Sequence, residues 1–124
     1  MQLTASPVVV TGGASGLGLA TVRRLENAGA LICIADMNPP RTDDGAPPLG
    51  PRTIYISADI TDEASMTAVF DEAHAAHGSL RAVVHCAGRG GDRTRIIDRD
   101  GQPAPMDSFA EVIRVNLLLS LIHI

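Results

Sequence analysis

Lysine is absent from the chain, and all ten basic residues are arginine. Aromatic residues are scarce: one tyrosine, Tyr55, two phenylalanines and no tryptophan. There is no basic block and the formal net charge is −4. That excludes the electrostatic footprint of a nucleic-acid binder or of a protein drawn to an anionic membrane surface. No apolar run reaches the length of a membrane span, and the N-terminus lacks the basic, apolar and small-residue succession of a secretory signal. The cytoplasm is the expected compartment, with neither membrane nor nucleic acid as partner. The two cysteines, Cys33 and Cys86, both end apolar strand-like runs without C-x-x-C spacing. Both are expected to be reduced and buried, with no disulfide or metal role. His74 and His77 lie three apart near a helix end, but no third ligand accompanies them, so no metal site is expected. A length of 124 residues allows at most one domain with a modest core.

What the chain does have is Thr11-Gly12-Gly13-Ala14-Ser15-Gly16-Leu17-Gly18, directly after Val8-Val9-Val10 and before a helical pattern. A strand that breaks into a glycine-rich turn and then a helix can hold a pyrophosphate. The first glycine permits the tight turn, and a later one lets the backbone approach the ligand. Gly18 lets the helix pack close to the strand, while the helix's free N–H groups face the negative charge.

The rest of the pattern alternates strands with helices. Residues 7–11 read as a strand, followed by a helix with Leu17, Ala20, Leu25 and Ala28 on one face and Gly29 after its end. Ala30 to Ala35 is a continuously apolar run, as in a strand buried on both faces, and Asp36 closes it. Residues 38–51 hold five prolines and two glycines and form a surface loop. Thr53 to Ser57 is a third strand. Thr61 or Asp62 caps a helix with Met66, Val69, Phe70 and Ala73 inward, stopped by Gly78. Leu80 to His85 is a fourth strand, and Arg89 to Pro105 a long polar loop. A last helix, opened near Met106 and Asp107 or Ser108, places Phe109, Val112, Ile113, Asn116 and Leu117 on one face. The expected fold is α/β, a Rossmann-type doubly wound parallel sheet with strand order 3-2-1-4, truncated after the fourth strand and its following helix.

Asp36 stands eighteen residues past Gly18, at a strand end. A carboxylate there accepts hydrogen bonds from the adenosine ribose hydroxyls of a dinucleotide. It also repels a 2′-phosphate: two unit charges about 4 Å apart at an effective dielectric near 20 differ by roughly 4 kcal/mol, less where solvent intrudes. No arginine follows immediately, so NAD is the expected cofactor. Asn116 lies on the apolar stripe of the last helix, where a buried amide without partners costs about 1–3 kcal/mol.

The glycine spacing T-G-x-x-x-G-x-G resembles the short-chain dehydrogenase/reductase family. The run from Val9 to Ala20, Cys86-Ala87-Gly88 and the long loop after it look particularly like the type II 3-hydroxyacyl-CoA dehydrogenase branch. The resemblance runs from Thr11 through Asn116. Asp59-Ile60 resembles the family's pair that contacts the adenine ring. Cys86-Ala87-Gly88 resembles its Asn-Ala-Gly element, with Cys in place of Asn. By that resemblance Ser15, Leu17, Asp36, Asp59, Ile60 and Cys86 contact NAD beside the turn glycines Gly12, Gly16 and Gly18. Ala87 and Gly88 let the end of the fourth strand approach the cofactor. Asn116, within Val115-Asn116-Leu117, bends the helix and holds a water of the proton relay. The implied reaction is hydride transfer between NAD and a secondary alcohol or ketone, with a 3-hydroxyacyl thioester as one substrate class. The implied assembly is a homo-oligomer, a tetramer.

The family also uses a tyrosine acid/base, a lysine four residues on, and a serine. Here there is no lysine, and Asp59 stands four after the only tyrosine. Residues 1–118 are thus expected to be the N-terminal part of an NAD-binding Rossmann domain. The tail Leu-Ser-Leu-Ile-His-Ile is the in-frame translation of CTGTCTCTTATACACATC, the mosaic end of transposase-based sequencing libraries. Residues 119–124 are therefore expected to be adaptor-derived. Two alternatives stand beside this reading: a 3-oxoacyl-carrier-protein reductase, and a non-catalytic dinucleotide-binding regulatory protein on the same fold.

Overall fold

The strand β1 (Pro7–Thr11) is buried along its whole length and hydrogen-bonded on both sides. In the computed structural model, which describes residues 2–41, 45, 47–91, 95–97 and 99–118, it pairs with β2 (Leu31–Asp36) on one edge and β4 (Ala82–His85) on the other. Beyond β2 lies β3 (Thr53–Ser57), so the order is β3-β2-β1-β4 with every pair parallel. This is the expected Rossmann-type order. Among the described residues β4 is an edge strand. It is shorter than the expected Leu80–His85 run, because Arg81 joins the sheet only through its N–H, 2.9 Å from Pro7 O.

Alternation along β1 and β2 feeds two cores, one on each face of the sheet. Val8, Val10, Ile32 and Ile34 pack with Ala14, Val22 and Ala30 on the side of α1 (Gly16–Asn27). Val9, Cys33 and Ala35 pack with Ala58, Met66, Val69 and Ala73 on the side of α2 (Glu63–His77). Apolar demand from both faces is why the strands read as unbroken apolar runs. Burial, and then the negative charge of Glu72, push the Cys33 thiol up to about 12, so it stays protonated and inert. Cys86, expected to be buried, is half-buried.

The two helices obey different rules. Asp62 caps α2 by accepting the N–H groups of Ala64 and Ser65, and Gly78 ends it at φ +83°. Its buried face is Met66, Val69 and Ala73, as the periodicity predicts. For α1 the periodicity is right only in part: Leu25 packs half-buried against the α1-side core and Ala28 is half-buried, but the fully buried residues are Gly18, Leu19 and Val22, while Leu17 is 86% exposed and Ala20 is exposed. Gly29, at φ +83°, follows its end as expected.

The chain divides into two compact units, one ending at Ala87 and the other beginning at Gly88. In the second, Ile97 bridges Pro103, and α3 (Met106–Ile113) runs directly into a π-helical turn, Arg114–Leu118. No residue of α3 is buried. Residues 119–124, expected to be adaptor-derived, lie outside the described residues.

Candidate dinucleotide site

Each glycine of the turn meets a separate demand. Gly12 adopts φ +68°, and a Cβ there would stand 2.5 Å from the backbone N and Cα of Ala87. It makes the turn, and it lets the end of β4 come close. At Gly18 a Cβ would sit 2.0 Å from Gly12 O, so the helix can begin only if this position has no side chain. Gly16 adopts φ +51° and faces open space, with nothing within 4 Å of an added Cβ. The tight turn at Gly12 and the close packing at Gly18 are as the motif predicts, and Ala87 is the neighbour that the spacing could not name.

The start of α1 is left open. Ser15 precedes it in an extended conformation, but its side chain makes no capping hydrogen bond, and no acidic residue occupies the first turn. A helix start without a carboxylate keeps its N–H donors and positive end for an anion. Ser15, Gly16 and Leu17 are all exposed around it. This cradle fits a pyrophosphate.

Asp36 reaches the turn from β2. Its Oδ2 accepts the Ala14 N–H at 3.1 Å and its Oδ1 accepts the Asn38 N–H at 3.1 Å. An ionised carboxylate offers about four lone-pair positions, so two donors leave room for ribose hydroxyls on a half-buried side chain. The backbone beneath is fixed as well: Asp36 O accepts from Ala58 N at 3.0 Å and from the Tyr55 hydroxyl at 3.2 Å. The single tyrosine is therefore a structural group of β3. Nearby, exposed Asp59 closes a tight turn by accepting the Thr61 N–H at 2.8 Å, and Ile60 packs half-buried against the α2-side core.

At the end of β4, Cys86 N donates to Thr11 O at 2.9 Å and its side chain packs against the α1-side core. Buried Thr11 places its hydroxyl 3.2 Å from His85 Nδ1, a link between neighbouring strand ends. In the second unit, Asn116 lies within the π-helical turn. Its Oδ1 accepts the Arg89 N–H at 2.8 Å and its Nδ2 donates to Arg89 O at 2.9 Å. A Cβ on Gly88 would stand 3.2 Å from that same oxygen. Asn116 is exposed, not buried as its stripe position suggested, and both ends of its amide are paired. Among the described residues no three histidine, cysteine, aspartate or glutamate side chains gather as a metal site.

A parallel sheet of order β3-β2-β1-β4, a glycine turn opening α1 and an acid at the end of β2 define a Rossmann-type half domain. The family described as short chain dehydrogenase matches residues 6–123, and the chain belongs to it. Over 110 residues it is 34% identical to the 3-hydroxyacyl-CoA dehydrogenase type-2 of Homo sapiens, covering 89% of this chain and 42% of that protein. Over 83 residues it is 45% identical to the cis-4-hydroxycyclohexanecarboxylate dehydrogenase of Sinomonas cyclohexanicum, covering 64% of this chain and 33% of that protein. The crystal structure of 3-hydroxyacyl-CoA dehydrogenase type-2 from Mycobacterium avium superimposes with a TM-score of 0.81 at 36% identity, over 98% of this chain and 48% of that one. The chain thus spans less than half the length of these curated relatives. The likeness to the type II 3-hydroxyacyl-CoA dehydrogenases expected from the motifs is borne out.

Proposed function

We propose that the whole protein moves hydride reversibly between NAD and a secondary alcohol or ketone, with 3-hydroxyacyl thioesters as the first substrate class to test. It would work in the cytoplasm as a homo-oligomer. The observation that carries the reading is the Ala14 N–H held on Asp36 Oδ2 at 3.1 Å, which places an acid against the phosphate turn. In this reading the start of α1 receives the pyrophosphate between Gly12, Ser15, Gly16 and Leu17. Asp36 accepts the adenosine ribose hydroxyls, and Asp59 and Ile60 border the adenine. Cys86 and Ala87 line the approach from β4, and within the second unit Asn116 holds the Arg89 backbone in shape beside Gly88. The bound nicotinamide supplies or takes up the hydride. With no lysine and Tyr55 engaged on Asp36 O, proton transfer falls to residues outside these 124, so the chain alone is expected to bind without turnover.

Fluorescence titration of NADH and NADPH into the 124-residue chain tests this. NADH is expected to bind more tightly by about tenfold or more, since solvent screens part of the charge repulsion at Asp36. Equal affinity for the two would overturn the assignment of NAD.

A further inference from the structure

Tyr55 does more at Asp36 than a strand residue needs. In β3 it stands across from Ile34, and its ring packs half-buried against the α1-side core. From there its hydroxyl reaches two residues further along β2 and donates to Asp36 O at 3.2 Å. That carbonyl already accepts the Ala58 N–H at 3.0 Å, so the phenol is a second donor on an oxygen with two lone pairs. The side chain of Asp36 is held in the same manner, by the Ala14 N–H on Oδ2 and the Asn38 N–H on Oδ1, each at 3.1 Å. Ala14 O in turn accepts the Arg41 N–H at 3.2 Å, which brings the chain leaving β2 back to the turn. These donors to Asp36 are all neutral groups, so they fix the direction of the carboxylate and leave its charge in place. The start of β3 is anchored as well: Gly50 N donates to Glu26 Oε1 on α1 at 2.8 Å, and Thr53 Oγ1 donates to the same oxygen. Thr53 and Tyr55 lie two apart and share a face of the strand. β3 is therefore tied to α1 at its start and to Asp36 further on, which fixes where along β2 the phenol stands.

We propose that Tyr55 is a positioning residue of the dinucleotide site, an inference that rests on the reading above. Its hydroxyl holds the Asp36 peptide so that the carboxylate meets the ligand already aligned. Tyr55 acts through Asp36 and not by contact with the ligand. Preorganisation of this kind lowers the ordering cost of binding and adds no new contact to the ligand. A phenylalanine would fill the same place in the core, so packing alone does not account for the hydroxyl. In the sequence Tyr55 is only one residue of an alternating strand, nineteen positions from the acid that it supports.

Calorimetric titration of the 124-residue chain with ADP-ribose tests this in a double-mutant cycle. Tyr55→Phe keeps the ring in the core and removes only the hydroxyl, and it is expected to weaken ADP-ribose by about three- to tenfold. In an Asp36→Ala background there is no carboxylate to align, and the same change should alter the affinity by less than about twofold. Hydrogen exchange at the Ala14 N–H gives a second reading that needs no ligand. Tyr55→Phe should speed it by about threefold or more, because the carboxylate that accepts this N–H is less firmly held. The positioning role is overturned if Tyr55→Phe leaves ADP-ribose affinity within about twofold, if it weakens binding equally in both backgrounds, or if exchange at Ala14 is unchanged. A wild-type chain that folds and does not bind ADP-ribose overturns the dinucleotide reading itself, and the positioning role with it.

Discussion

Only Leu17 separates Gly16 from Gly18, and a methyl group would meet opposite surroundings at each. At Gly18 it would overlap Gly12 O, so Gly18→Ala must push α1 off the turn, at a cost of about 2 kcal/mol or more. At Gly16 it would meet nothing, and only the left-handed backbone resists it, by about 1–2 kcal/mol. Urea denaturation with NADH titration of both variants should show Gly18→Ala strongly destabilised. Gly16→Ala should remain folded but bind weakly, because its methyl group occupies the open face of the cradle. Equal stability losses would mean that the 2.0 Å approach at Gly18 relaxes freely. The glycine pattern was legible in the sequence because each position carries a steric demand of its own. Ala14 and Arg41 were not legible. An alanine that serves through its peptide N–H and C=O leaves no side-chain signature, and nothing local says where a proline-rich segment returns.

The first turns of α1 were misread for the same steric reason, while Leu25 packs against the core as expected. Close packing of Gly18 on Gly12 rotates the helix so that Leu19 and Val22 enter the core and Leu17 points out, although Leu17 is as apolar as either. Periodicity counts apolar residues, but here a glycine contact sets the face. Val22→Ala is therefore expected to cost about 2 kcal/mol, and Leu17→Ala within about 0.5 kcal/mol of nothing, in thermal or urea unfolding. A reversed order would restore the face predicted from the pattern. For α2, Asp62 and Gly78 mark both ends, and Met66, Val69 and Ala73 are the inward residues, because no close backbone contact competes with the apolar stripe. The strands were the easiest to read. β1 and β2 serve two cores at once, so their one fully buried polar residue is Thr11, whose hydroxyl finds His85, and Asp36 stands half-buried at the end of β2.

At the scale of the molecule, the α3 unit departs most from what a core-facing stripe implies. Met106, Phe109, Ile113 and Leu117 are exposed, Met106 at 73% and Phe109 at 61%. Among the described residues no further strand pairs with the outer edge of β4. Exposed apolar side chains and an open strand edge both favour self-association. Light scattering of the 124-residue chain should rise with concentration, and Phe109→Ser with Ile113→Ser should lower it. Scattering unchanged by the pair would place the sticky surface elsewhere. The central position of β1 also has a consequence in time. Val8 meets Ala82 across 74 positions, whereas Pro7 meets Leu31 across only 24. Closing the longer loop costs about 1 kcal/mol more in chain entropy. During synthesis at roughly 5–20 residues per second, β1 then waits several seconds beyond the arrival of β2 before β4 exists to cover its second edge. For that interval Val8-Val9-Val10, part of an interior strand of the four-stranded sheet, lies at its edge, and translation speed decides how long it stays so.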